Sequence, residues 1–115
     1  MRRWAAAILL LLVACGGSRP SRAEWTADVW VPMRDAVPVP TEATAAACDE
    51  ALGVIRAVSE NLRPAPTQEI GDAADEWVRL GEGLMFDCAA SDADDYEARY
   101  ADLIRAQDRV ERLLD

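Results

Sequence analysis

A chain of 115 residues has room for one domain rather than two. Asp and Glu number 21 against 12 basic residues, a formal charge of -9, and every base is Arg. This balance argues against binding nucleic acid or adhering by charge to anionic lipid. The absence of His removes the commonest general base and metal ligand.

Met1-Arg2-Arg3 is a short positive start, and Trp4 to Val13, WAAAILLLLV, is an apolar core of ten residues. A spanning helix needs about 20 residues, so this run predicts a secretory signal rather than a stable anchor. It closes on Leu12-Val13-Ala14-Cys15, followed by Gly16-Gly17. A branched apolar residue, small residues and then Cys resemble the lipobox of bacterial lipoproteins. The resemblance covers Met1 to about Ser18. It implies a diacylglycerol on the Cys15 sulfur, cleavage by signal peptidase II after residue 14, and a new amino end open to acylation. The other interpretation of the same residues is an ordinary signal peptide with Cys15 there by chance. Arg2-Arg3 lacks the rest of a twin-arginine pattern, and in an envelope with two membranes Gly16 resembles cargo sent outward.

The implied organisation is a cleaved signal over 1–14, a lipidated Cys15 with a short linker to residue 20, and a helical domain over 21–115. The location is extracytoplasmic, on the bacterial cell envelope. Each buried methylene contributes ~0.8 kcal/mol, so two acyl chains hold where one is marginal, without a basic patch. Loss of Arg2 and Arg3 leaves 10 Arg against the same 21 acids. The linker keeps the domain within a couple of nanometres of the bilayer, at ~3.5 Å per residue.

In the body, Ser21-Arg22-Ala23-Glu24 has capping-box spacing and predicts a short helix. Trp25, Val29 and Met33 fall on one face, Trp30 falls off it, and Pro32 is expected to end or kink the element. Val37 to Glu42, VPVPTE, predicts an extended connector. Thr41 is the expected cap of the next helix, with Cys48, Ala51, Ile55, Val58 and Leu62 as its seam. Arg63 to Thr67, RPAPT, breaks it. A third helix from Thr67 to about Cys88 carries Ile70, Ala74, Trp77, Gly81, Leu84 and Cys88. Gly81 and its neighbour Gly83 allow close approach of a neighbouring helix, favoured for Gly81, or a bend. Ser91-Asp92-Ala93-Asp94 has the spacing to open the last helix, with Ala93, Tyr96, Tyr100, Leu103, Gln107, Val110 and Leu114 as its seam. Asp95 with Arg99 and Asp108 with Arg112 are i,i+4 pairs. The sum is an all-α antiparallel bundle of three to four helices.

With Cys15 assigned to lipid, Cys48 and Cys88 form an even pair for an oxidising compartment, and a disulfide between them is expected. Counted from the Pro-rich turn, their levels differ by about 10 Å at ~1.5 Å per residue. A later start of the third helix or a bend at Gly81 to Gly83 would absorb the difference. Two reduced thiols or an intermolecular bond are the other possibilities. Neither Cys has zinc-site company.

Ser91 to Glu97, SDADDYE, raises a weak calcium candidate at Asp92, Asp94 and Asp95, without the Gly or the ligand alternation of an EF-hand loop. Acids favoured by the dipole at a helix start are the preferred explanation of the cluster. Neither His nor Lys is present to serve a nucleophilic Ser, and paired carboxylates would need a cleft that raises one pKa, which a compact bundle of this size rarely has, so no enzyme is expected; no cofactor is expected either. Trp30 and Phe86 fall off their helices' seams and are candidate contacts for a partner protein or the lipid interface. The expected role is therefore non-catalytic, a membrane-anchored accessory or protein-interaction module. The alternative is a module that binds a small ligand or cation.

Overall fold

The computed structural model describes residues 18–115, and among them it contains helices and no strand. The predicted signal segment and Cys15 lie outside the described residues. None of the described helices is long and apolar enough to cross a membrane.

The first helix, α1, runs without interruption through three pieces: Arg22–Trp25, a π-helical turn Thr26–Trp30, and Val31–Asp35. Ser21 caps it as expected, its hydroxyl accepting from the Glu24 amide at 3.1 Å. Pro32 neither ends nor breaks it. In a regular α-helix the proline ring would meet the carbonyl four residues back, at Asp28, at a cost of about 3 kcal/mol. Here the turn before it is widened, with the Val31 amide donating to the Thr26 carbonyl five residues back. Ala27 and Asp28, whose carbonyls lose a helical donor at Pro32, are exposed to water. The helix stops at Asp35, shortly before Pro38.

A 3-10 turn, Pro40–Glu42, follows. It takes up Thr41, so the predicted cap moves to Thr44, whose hydroxyl accepts from the Ala47 amide at 3.1 Å. Proline presets the φ of the 3-10 turn, and Thr44 is the first residue past it with the extended backbone a cap needs. Helix α2 is Ala45–Ser59, burying Cys48, Ala51, Leu52 and Ile55. Helix α3, Gln68–Ala89, starts where expected, with Thr67 as its cap, and its six seam residues are all buried.

The step after α3 corrects the predicted start of the last helix. Ser91 does not open it; it closes α3. Its φ of 59° is left-handed, its amide donates to the Cys88 carbonyl at 3.0 Å, and the Asp92 amide donates to the Asp87 carbonyl at 2.9 Å. That pair of bonds is a Schellman closure, with Ser where Gly is usual. Helix α4 begins later, at Tyr96, and runs to Leu114. Ser91→Gly removes the Cβ strain of the left-handed position and is expected to raise stability by about 0.5–1 kcal/mol in urea unfolding.

Helices α2, α3 and α4 run antiparallel, with α3 packed against both neighbours, and α1 packs on α2 and reaches α3 through Trp30 and Trp77 and α4 through Arg34 and Glu111. Buried Trp25, Trp30, Met33, Ile55, Trp77, Leu84, Met85, Leu103 and Val110 form one continuous core. A methyl placed on Gly81 would stand 3.6 Å from the Ile55 side chain and 3.7 Å from that of Leu103. All three helices therefore come close here, but the approach leaves room for Ala. The helix continues through Gly81 and Gly83, so neither marks an end of the element.

Candidate functional site

Cys48, in the first turns of α2, is bonded to Cys88, in the last turn of α3; the Cα atoms are 5.8 Å apart. Helix α3 starts where expected and continues unbroken through Gly81 and Gly83, so a later start does not absorb the mismatch of about 10 Å. Residues 60–67 take it up by running on beyond α2 beside the start of α3, where Leu62 and Ala65 are buried. The Trp25 indole N–H donates to the Leu62 carbonyl at 3.0 Å, and Arg63 bridges Asp72 at 2.9 Å and Asp75 at 2.7 Å. Hydrogen bonds to Asp75 and then Asp72 hold the Arg63 guanidinium above its usual range. Leu62 is legible as the end of the α2 seam, but nothing in RPAPT announces that Ala65 is buried, because a single small apolar residue between two prolines carries no period.

Trp30 is not on the surface. It is 0% exposed, stacked on Trp25 with ring centroids 6.4 Å apart and edge-on to Trp77 at 5.4 Å. The reason is the π-turn. It spends one extra residue, so residues five apart come into line, and Trp30 rotates onto the face that already carries Trp25. The signal for this was a proline two residues beyond a Trp–Trp spacing of five. Trp30 is therefore withdrawn as a partner contact. Its indole N–H and that of Trp77 are buried and have no hydrogen-bond partner among the described residues.

Phe86 is the opposite case. It is 57% exposed, on the outer side of α3 near the disulfide-linked end. Asp92, Asp94 and Asp95 lie in the turn between α3 and α4, all exposed. No group of three or more potential metal-ligating side chains converges among the described residues. Arg99 reaches back across this turn to Asp87 at 2.7 Å, with Asp95 further off at 3.9 Å. At the other predicted i,i+4 pair, Arg112 donates to the Asp108 backbone carbonyl rather than to its carboxylate.

Tyr96 ties the connector after α1 to this same end. Its hydroxyl donates to the Pro38 carbonyl at 2.9 Å, and its ring stacks on Tyr100 at 6.1 Å. Burial, and then the neighbouring Tyr100, push the Tyr96 phenol up to about 12. A pKa raised by folding gives stability that is whole below the ordinary tyrosine value of about 10 and is lost as pH rises towards about 12. With only two tyrosines in the chain, phenolate absorbance reads this ionisation. The ionisation near pH 12 is expected to vanish in Tyr96→Phe, and melting temperature should fall less steeply above pH 10 in that variant.

At the opposite end an open groove of about 420 Å³ is bordered by Arg19, Glu24, Trp25, Asp28, Asn61 and Pro64. The Arg19 guanidinium donates to the Ala65 carbonyl at 3.3 Å, holding the entering chain against the 60–67 connector.

No protein-family model, no curated protein and no solved structure matches this chain.

Proposed function

We propose that this chain is an extracytoplasmic lipoprotein, anchored through Cys15, whose helical domain is a non-catalytic interaction module of the bacterial envelope. The observation that carries the proposal is the run Leu12-Val13-Ala14-Cys15 at the end of a ten-residue apolar core. The bonded Cys48–Cys88 pair supports it, since such bonds persist in oxidising compartments and are rare in the cytosol. Exposed Phe86 favours a protein partner, because a large aromatic left in water on a rigid helix is the residue type that anchors interfaces. A tether raises the local concentration of such a module near a membrane partner.

The test has two arms. Cys15→Ala is expected to yield full-length chain with no incorporated fatty acid; a labelled Ala variant contradicts the anchor. Phe86→Asp is expected to weaken capture of the partner in co-purification from native membranes by at least about tenfold, with the fold unchanged. The same partners recovered at the same yield contradict the role of Phe86. The alternative, a small-ligand or cation module, would draw on the groove beside Arg19 or the acids of the α3–α4 turn. A melting temperature that rises with calcium would favour it.

A further inference from the structure

The entering chain and the bundle have very different reaches. Arg19 is held at the end of the bundle formed by the start of α1 and residues 60–67, through its bond to the Ala65 carbonyl. It lies only four positions beyond Cys15, with three residues between, a reach of at most ~14 Å at ~3.5 Å per residue. Helix α3, with 22 residues, is about 33 Å long, and Phe86 lies about 27 Å along it from Gln68. The tether therefore holds one end of the bundle at the bilayer and leaves the other free to stand away from it.

Charge differs between the two ends. Arg19 and Arg22, both exposed and beside the tether, form no ion pair among the described residues. The far end carries Glu42, Asp49, Glu50, Asp92, Asp94, Asp95 and Glu97, all exposed, with Arg99 already paired to Asp87. Near an anionic bilayer the far end is repelled, within a screening length of about 8 Å, each time the bundle tips over. The near end is not basic either: exposed Glu24, Asp28, Glu60, Glu69 and Asp115 outnumber Arg19 and Arg22, and Arg63 is taken by Asp72 and Asp75, so charge would not hold it down. The short tether does that, and repulsion sets the tilt.

We infer that the bundle stands end-on on the membrane, with Arg19, Arg22 and the 60–67 connector against phospholipid headgroups and Phe86 held in the aqueous phase above them. This rests on the lipid anchor proposed for Cys15. It assigns the Phe86 contact to a partner that projects from or lies above the surface, rather than to lipid.

The experiment uses the lipidated protein in nanodiscs of phosphatidylethanolamine with a minority of phosphatidylglycerol, doped with a lipid bearing a gadolinium chelate on its headgroup. Amide signals of Arg22, Asn61 and Ala65 are expected to be attenuated severalfold more than those of Phe86 and Asp94. Attenuation at Phe86 equal to that at Arg22 means a bundle lying on its side and overturns the inference. So does stronger attenuation at Asp94. The intact mass of the same preparation separates the two levels. If the lipid is absent, the anchor fails and the end-on stance with it. If the lipid is present and Phe86 is attenuated as strongly as Arg22, the anchor stands and the stance falls.

Discussion

Replacing Cys48 and Cys88 together with Ala is expected to lower the unfolding free energy by about 4 kcal/mol. The bond closes a loop of sequence separation 40, and in the chain-entropy account a loop of that size removes this much freedom from the unfolded chain. The consequence is large because a domain of this size has a stability on the order of 5–15 kcal/mol. It also falls at one end. The disulfide joins α2 to α3 where the chain arrives from a proline-rich connector, held nearby by the bond from Tyr96 to the Pro38 carbonyl. Urea unfolding with and without reductant measures the effect. Wild-type protein under reductant should approach the double-Ala variant, and a difference below about 1 kcal/mol would contradict the role assigned to the bond.

Truncating the tryptophans of α1 gives the second large effect, and the order of the two variants is its test. Trp25 and Trp30 are both buried, so either change to Ala removes a ring and leaves a cavity, at about 3–5 kcal/mol. They differ in their polar atoms. Trp25 donates to the Leu62 carbonyl, and its loss leaves that carbonyl without its partner. The Trp30 N–H has no acceptor among the described residues, so removing it relieves a buried donor as well as costing packing. Trp25→Ala should therefore cost about 4–5 kcal/mol and Trp30→Ala about 3. The Phe variants sharpen the contrast. Trp25→Phe still loses the hydrogen bond, while Trp30→Phe keeps most of the ring and sheds the unpaired donor. If Trp30→Phe is the more damaging, the environment assigned to the two indoles is wrong.

These residues also mark where the sequence was legible and where it was not. The seam from Ile70 to Cys88 was readable because α3 is a regular helix buried along one stripe, and a period of 3.6 holds throughout. The Cys48–Cys88 pairing followed from the even count left after Cys15, while counting along regular helices left a mismatch of about 10 Å that the 60–67 connector resolves. Trp30 was misplaced because that period was applied across a π-turn, where it does not hold. Ser91 was misassigned for a different reason. A Ser followed three residues later by an acid has the spacing of an N-terminal cap, yet here the Ser is the left-handed residue that finishes the preceding helix. Spacing alone does not distinguish the two, since both place a Ser next to a helix end. Thr41 failed against Thr44 because two residues of one type compete for a cap, and the 3-10 turn after Pro40 decides between them. Of the two aromatics read as falling off their seams, Phe86 is indeed off its seam and exposed, because α3 is regular around it.

The central claim is that a lipid on Cys15 fixes a helical bundle to the outer side of a bacterial membrane. Intact-mass analysis of detergent-extracted protein from a bacterial host tests it most directly. The expected species begins at Cys15, lacks residues 1–14, carries a diacylglyceryl group on the sulfur, and is two hydrogens lighter for the Cys48–Cys88 bond. A chain that retains Met1 to Ala14, or that begins elsewhere with the Cys15 thiol bare, would contradict it.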